Sequence, residues 1–201
     1  MKRKVRIVLA SSSPRRREIL AQLGWNFQVI PSDVAETKKD GEDPASLVKR
    51  LSFLKGDEVF RRCPDALVIA SDTVVCCGGK IYGKPKDDEE ALTMLENLVG
   101  RNHEVFSGLA LFMGARVLCD CDSTEVTFRR VGLETLRAYV ATGEPRGKAG
   151  AYAIQGCGRL LVKGIHGDYS TVVGLPVALL AEMIGKLGFD LFDLMEVSAF
   201  E

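Results

Sequence analysis

The chain has 201 residues, 46% hydrophobic and 27% charged, a composition that supports a buried core and excludes disordered and membrane-spanning classes. Lysine plus arginine and aspartate plus glutamate both total 27, so no overall field draws the protein to nucleic acid or to an anionic membrane. Only Val5 to Ala10 follow the basic start Met1-Lys2-Arg3-Lys4, too little for a signal core or a membrane span, and the expectation is a cytoplasmic protein with no membrane partner.

The first predicted strand is Val5 to Ala10, a nearly continuous β-branched run of the kind buried on both faces of a sheet. Ser13 is placed to cap a helix opened by Pro14, striped by Ile19, Leu20 and Leu23 and stopped by Gly24. A second strand is expected over Phe27 to Ile30, then a polar loop from Pro31 to Asp43 and a helix from Pro44 to about Arg62. Ala66 to Cys77 reads as a long apolar strand interrupted by Ser71-Asp72-Thr73. Asp87 and Glu90 form a capping pair for a helix with Ala91, Met94, Leu95 and Leu98 inward, closed by Gly100.

Val105 to Phe112 and Arg116 to Phe128 are expected to form a hairpin across Met113-Gly114-Ala115. Leu133, Leu136 and Val140 stripe a further helix ended by Gly143, and Pro176 opens the last one, with Leu179, Leu180, Met183, Ile184 and Leu187 inward. Between them, the glycine-dense stretch from Gly147 to Gly174 has little periodicity and is expected to be loop. The pattern is mixed α/β, with no internal repeat.

The cysteines include an adjacent pair, Cys76 and Cys77, and a pair one residue apart, Cys119 and Cys121. Neither spacing suits zinc or a disulfide framework, so buried or half-buried free thiols are expected. His103 and His166 are too few and too scattered for a histidine metal site, which leaves carboxylates as ligands for any metal.

Several residues are placed where chemistry would need them. Ser11-Ser12-Ser13-Pro14-Arg15-Arg16 feeds a helix N-terminus, whose free N–H groups, dipole and forked guanidinium donors suit a phosphate; a capped surface helix with solvated arginines explains the same run. Asp72 within an apolar strand would be buried, at a cost of several kcal/mol unless a cation or donors meet it. If instead the strand ends at Ala70, Asp72 still lies at a strand end, where α/β proteins bind ligands. Lys55 falls on the inward stripe with Val48, Leu51 and Val59 and so requires an anion, or else snorkels outward. Lys84 follows a turn and reads as a solvated loop residue or a ligand. Glu36 could join Asp72 around a hard divalent cation. Gln155 offers the acceptor and donors that match the imide edge of uracil or thymine, or is a plain loop glutamine.

Jointly, Leu9 to Arg16, Ser71-Asp72-Thr73-Val74-Val75, Gly83-Lys84-Pro85, Lys148 to Gly156 and Gly174-Leu175-Pro176 closely resemble the Maf family of nucleoside triphosphate pyrophosphatases, in family order over nearly the whole chain. The resemblance implies a single Maf-like domain over residues 1–201, with two lobes around a central cleft, an elongated mixed sheet flanked by helices and a fold like that of inosine triphosphate pyrophosphatases. It implies hydrolysis of a nucleoside triphosphate to the monophosphate and pyrophosphate, with a divalent metal, magnesium or alternatively manganese. Asp72 matches the general base and a metal ligand, Glu36 a metal ligand, and Ser11, Arg15, Arg16, Lys55, Lys84 and Gln155 match substrate positions. Arg15, Thr73 and Gln155 match those linked to base specificity.

Ile154-Gln155-Gly156 resembles the subgroup acting on dTTP and UTP rather than the 7-methyl-GTP subgroup. Gly56 and Ala153 stand where the family usually has alanine and glycine, and Val34-Ala35-Glu36 lacks a more common extra acid. The family's association with septum formation supplies a rival reading, a nucleotide-binding regulator without turnover. A small nucleotide is the expected partner, nucleic acid is not, and a homodimer is left open.

Overall fold

The computed structural model describes residues 5–195. Two compact units are distinguished: one holds the chain up to Asp72, Ser107–Asp122 and the chain from Gly174, the other Thr73–Phe106 and Ser123–Val173. Among the described residues the strands are β1 (Ile7–Leu9), β2 (Phe27–Val29), β3 (Leu67–Cys77), β4 (Lys80–Tyr82), β5 (Asn102–Met113), β6 (Arg116–Phe128) and β7 (Val162–His166). They form one mixed sheet in the order β2-β1-β3-β5-β6-β7, with β4 paired to β3. The long strands β3, β5 and β6 each contribute residues to both units.

In the first unit β1 lies parallel to β2 (Ile7 opposite Phe27) and to β3 (Ile7 opposite Leu67). This central place explains why Ile7, Val8 and Leu9 are all buried, as a strand covered on both faces requires. Helix α1 (Pro14–Gln22) follows, capped by Ser13, whose hydroxyl accepts from the Arg16 amide. Helix α2 (Pro44–Arg62) buries Leu47, Val48, Leu51, Ser52, Lys55, Gly56 and Val59, a stripe at three- and four-residue spacing. Val59 joins Val8, Ala10, Val68, Ala70 and Phe112 in one apolar cluster, each large side chain contributing about 1.5–3 kcal/mol on burial.

Helix α2 and β5 approach closely. A Cβ at Gly108 would lie 2.2 Å from the Val48 carbonyl oxygen, and one at Gly56 would lie 2.3 Å from Cε2 of Phe112. The Phe112 ring, packed 5.3 Å from Phe53 and 5.6 Å from Phe60, therefore takes the space of an alanine methyl at position 56. Helix α6, which spans Val177–Lys186, buries Leu180, Met183 and Ile184.

The second unit contains helices α3 (Asp88–Leu98), α4 (Leu133–Ala141) and α5 (Tyr169–Val173). Asp87 caps α3 through the Glu90 amide at 2.8 Å, and Glu90 takes the Lys86 amide at 2.8 Å in return. The expected inner face Ala91, Met94, Leu95 and Leu98 is buried. Helix α4 buries Leu136, Tyr139 and Val140, but Leu133 is 39% exposed because it opens the helix, beyond the end of the packed face.

The three residues Ser71-Asp72-Thr73 do not interrupt β3, which stays extended across them. The glycine-dense stretch is more ordered than loop: it contains 3₁₀ turns at Ala149–Ala151 and Cys157–Leu161, then β7 and α5. Strand β7 pairs antiparallel with β6 but is largely exposed, with Gly164 in its middle, so it shows no alternation to read. The cysteines are free thiols, though Cys119 and Cys157 are exposed rather than buried, the first on the open stretch of β6 and the second at a turn. No helix among the described residues is long and apolar enough to cross a membrane.

Candidate active site

At the C-terminal end of β1 the Ala10 amide donates to the Ile69 carbonyl at 2.8 Å, carrying the β1–β3 pairing up to the serines. Ser11 is buried, and its hydroxyl accepts from the Ser13 amide at 3.1 Å and from Arg16 Nη1 at 3.2 Å. Arg16 Nε donates to the Gly174 carbonyl at 2.7 Å, and the Ser71 hydroxyl donates to the same oxygen at 2.8 Å. Arg16 is thus a strut joining the serine turn to the Gly174 turn. Burial pushes its pKa down, Asp72 and Glu36 oppose that shift, and Arg15 reinforces it. Arg15 is half-buried in the first turn of α1.

Asp72 is buried, 6% exposed, in mid-β3. Lys55, 7% exposed on the inward face of α2, meets Asp72 Oδ1 at 2.5 Å. The same ammonium meets Glu36 Oε1 at 2.7 Å, and the Glu36 side chain is 40% exposed. Two carboxylates from separate segments converge on one cation, which answers why the stripe of α2 tolerates a lysine. The Glu36 loop is tied to α2 by Arg50, whose Nε and Nη2 each meet a Glu42 oxygen at 2.6 Å and whose Nη2 also holds the Thr37 carbonyl. Hydrogen bonds from Arg50 hold the Glu42 carboxyl down at about 2.

The convergence of Glu36 and Asp72 on one positive charge is a test of whether a divalent metal suits this chain. No group of three or more histidine, cysteine, aspartate or glutamate side chains that could hold a metal occurs among the described residues. Two hard oxygen donors fit magnesium, which keeps several waters and takes phosphate oxygens as its other ligands.

The second unit carries Thr73, Lys84 and Gln155. Its backbone gathers three sequence motifs: the Gly150 amide donates to the Gly83 carbonyl at 3.1 Å, and a Cβ at Gly150 would lie 2.7 Å from Val75 Cγ2. Thr73 is half-buried on β3, Lys84 exposed after β4, and Gln155 half-buried between the two 3₁₀ turns. Ala151, in the same segment, has a φ of 59°, a left-handed conformation that costs a non-glycine residue of order 1 kcal/mol.

Sequence reading passed over Ser71 as a donor and missed Glu144. Glu144 accepts from the amides of Cys157 and Gly158 and from the Tyr139 hydroxyl, each at 2.8 Å. The only cue was an acid beside the glycine that stops α4, which by itself reads as a solvated turn residue.

The family model described as Maf-like protein matches residues 6–187. The chain belongs to the Maf family. It is 47% identical to a dTTP/UTP pyrophosphatase from Pelotomaculum thermopropionicum, over 92% of this chain and 97% of that one. It is 45% identical to one from Moorella thermoacetica, covering 93% and 97%, and 42% identical to one from Pyrococcus furiosus, covering 92% and 97%. Among solved structures, a HAM1 protein from Coxiella burnetii aligns at 15% identity with a TM-score of 0.51, over 90% of this chain and 99% of that one, a likeness of fold alone. Within the Maf chain the structure thus brings together Ser11 with Arg16, and Glu36 with Lys55 and Asp72.

Proposed function

We propose that this chain is a nucleoside triphosphate pyrophosphatase that hydrolyses dTTP and UTP to the monophosphate and pyrophosphate. Relatives of that name at 42–47% identity over nearly the full length support the reading. The observation that carries the chemistry is the buried Asp72 held by Lys55, with Glu36 on the same ammonium. A buried ion pair is a weak stabilising device, and its retention in mid-strand is better explained by catalysis than by folding.

Water attacks the α-phosphorus, the bond from that phosphorus to the bridging oxygen breaks, and pyrophosphate leaves. Asp72 orients the water and takes its proton. Arg15, Lys55 and Lys84 offset triphosphate charge, the Ser11–Ser13 turn offers amides at the α1 N-terminus, and Gln155 reads the pyrimidine edge. Glu36 and Asp72 would hold a magnesium or manganese ion, which supplies positive charge against the phosphate oxygens when bound.

The test is a panel of nucleoside triphosphates with magnesium, scored separately for pyrophosphate and orthophosphate. Release of pyrophosphate from UTP and dTTP is expected, and Asp72→Asn should lower turnover by about 100-fold or more with the fold intact. Orthophosphate as first product would overturn the α-phosphorus assignment; nucleotide binding without turnover would make the chain a regulator.

A further inference from the structure

Gln155 sits on a segment with little regular hydrogen bonding of its own, yet a base-reading amide must be held to a fraction of an ångström. The second unit shows what holds it. On one side the Ala153 amide donates to the Tyr139 hydroxyl at 3.2 Å. On the other, the successive amides of Cys157 and Gly158 donate to Oε2 and Oε1 of Glu144. The Tyr139 hydroxyl in turn donates to Glu144 Oε1 at 2.8 Å, closing a bridge between Ala153 and Gly158, which flank Gln155 in the chain.

The bridge is packed as well as bonded. A Cβ at Gly156 would lie 2.1 Å from Glu144 Oε2, and one at Gly158 would lie 2.6 Å from both the Ala153 carbonyl oxygen and the Tyr139 hydroxyl. Tyr152, at the head of the segment, is anchored separately by His103 Nε2 at 2.9 Å. Burial pushes the Glu144 carboxyl up, but the Gly158 and Cys157 amides and the Tyr139 hydroxyl more than offset it, so its pKa lies below the ordinary value. The carboxylate is therefore charged at neutral pH, and its bonds to the amides are of the stronger, charge-assisted kind.

We propose that Glu144, braced by Tyr139, is a positioning residue for base selection: it fixes the turn that presents Gln155 and sets the preference for uracil and thymine nucleotides. It acts through the Cys157 and Gly158 amides and the Tyr139 hydroxyl that it holds. The inference rests on the proposed function and deepens it, because a generic cap would stabilise the fold without altering which base is accepted. Glutamine at position 144 keeps the size but has one oxygen in place of two, so one of the two amides must lose its acceptor.

The experiment compares the full chain with Glu144→Gln, Tyr139→Phe and Gln155→Ala, each alone, and with Glu144→Gln combined with Gln155→Ala. Substrates are UTP, dTTP, CTP and GTP with magnesium. Glu144→Gln is expected to raise KM for UTP about tenfold with kcat within about threefold, and to reduce the UTP-over-CTP ratio of kcat/KM by a similar factor. Tyr139→Phe should act in the same direction, and in the Gln155→Ala background Glu144→Gln should change the ratio no further. Thermal melts of all four variants identify any that fail to fold, and Tyr139→Phe then carries the test in place of Glu144→Gln. An unchanged base ratio in folded variants, or equal losses for all four nucleotides, overturns the positioning role while leaving the pyrophosphatase reading intact. A wild-type chain that releases no pyrophosphate overturns that reading instead.

Discussion

Lys55→Met isolates the buried pair at the centre of the first unit. Methionine fills most of the lysine stem, so the change removes charge with little cavity. Asp72, its side chain 8% exposed, is left charged and buried without its cation, which costs about 3–5 kcal/mol. Glu36 contributes under about 1 kcal/mol, because at 40% exposure its side chain is rehydrated once released. For a chain of this size the loss corresponds to a fall in Tm of roughly 6–20 °C. The double variant Lys55→Met with Asp72→Asn removes both charges and should lose no more than about 2 kcal/mol. Urea denaturation measures both, and magnesium at about 100 times its dissociation constant should restore roughly 2.7 kcal/mol to the single variant and much less to the double. A single variant within about 1 kcal/mol of wild type, or as stable as the double, would refute the claim that Asp72 depends on Lys55.

Gly56→Ala should cost about 1–3 kcal/mol by overpacking against Phe112, and Phe112→Leu in the same chain should return part of it, read as coupling in a double-mutant cycle. His103, 2% exposed and held neutral by burial, has its pKa lowered from 6.5 to about 4. The unfolded chain then binds more protons between those values, so stability is complete above pH 6.5 and falls by about 3 kcal/mol as pH drops towards 4. His103→Gln should flatten that limb of a Tm-against-pH curve. The neighbours Arg15 and Arg16 should separate: Arg16→Lys, which cannot span Ser11 and Gly174 with a fork, should lower stability by about 1.5–3 kcal/mol. Arg15→Lys should weaken nucleotide affinity with the fold intact, as calorimetry would show.

What the sequence made legible followed from period and punctuation. β1, α1, α2 and α3 carry caps, prolines and stripes that fix their ends locally, and the structure keeps those bounds within a residue or two. Asp72 and Lys55 were legible as misfits, polar groups on faces otherwise apolar, and their meeting accounts for both. The parts that escaped depend on tertiary partners. β7 owes its extended form to pairing with β6 rather than to its own alternation. Ser71 and Glu144 are ordinary residues until the amide, hydroxyl or carbonyl they bond arrives from elsewhere in the chain. Gly56 was visible as a departure from the family pattern, but its cause, the Phe112 ring, lies 56 residues further on.

The carbonyl of Gly174, which accepts from both Ser71 and Arg16, belongs to the main chain, and no substitution deletes it. A scan of side chains would register its importance only indirectly. Position 174 would tolerate almost nothing, because its φ of 117° aims the oxygen and other residues rarely adopt it. Ser71 and Arg16 would each look moderately sensitive and together more than additive, since either donor alone still satisfies the shared oxygen and only the double loss leaves it unpaired. This tie between the serine turn and β3 would then surface in mutational data as an epistatic pair around an intolerant glycine, with no single polar side chain to credit.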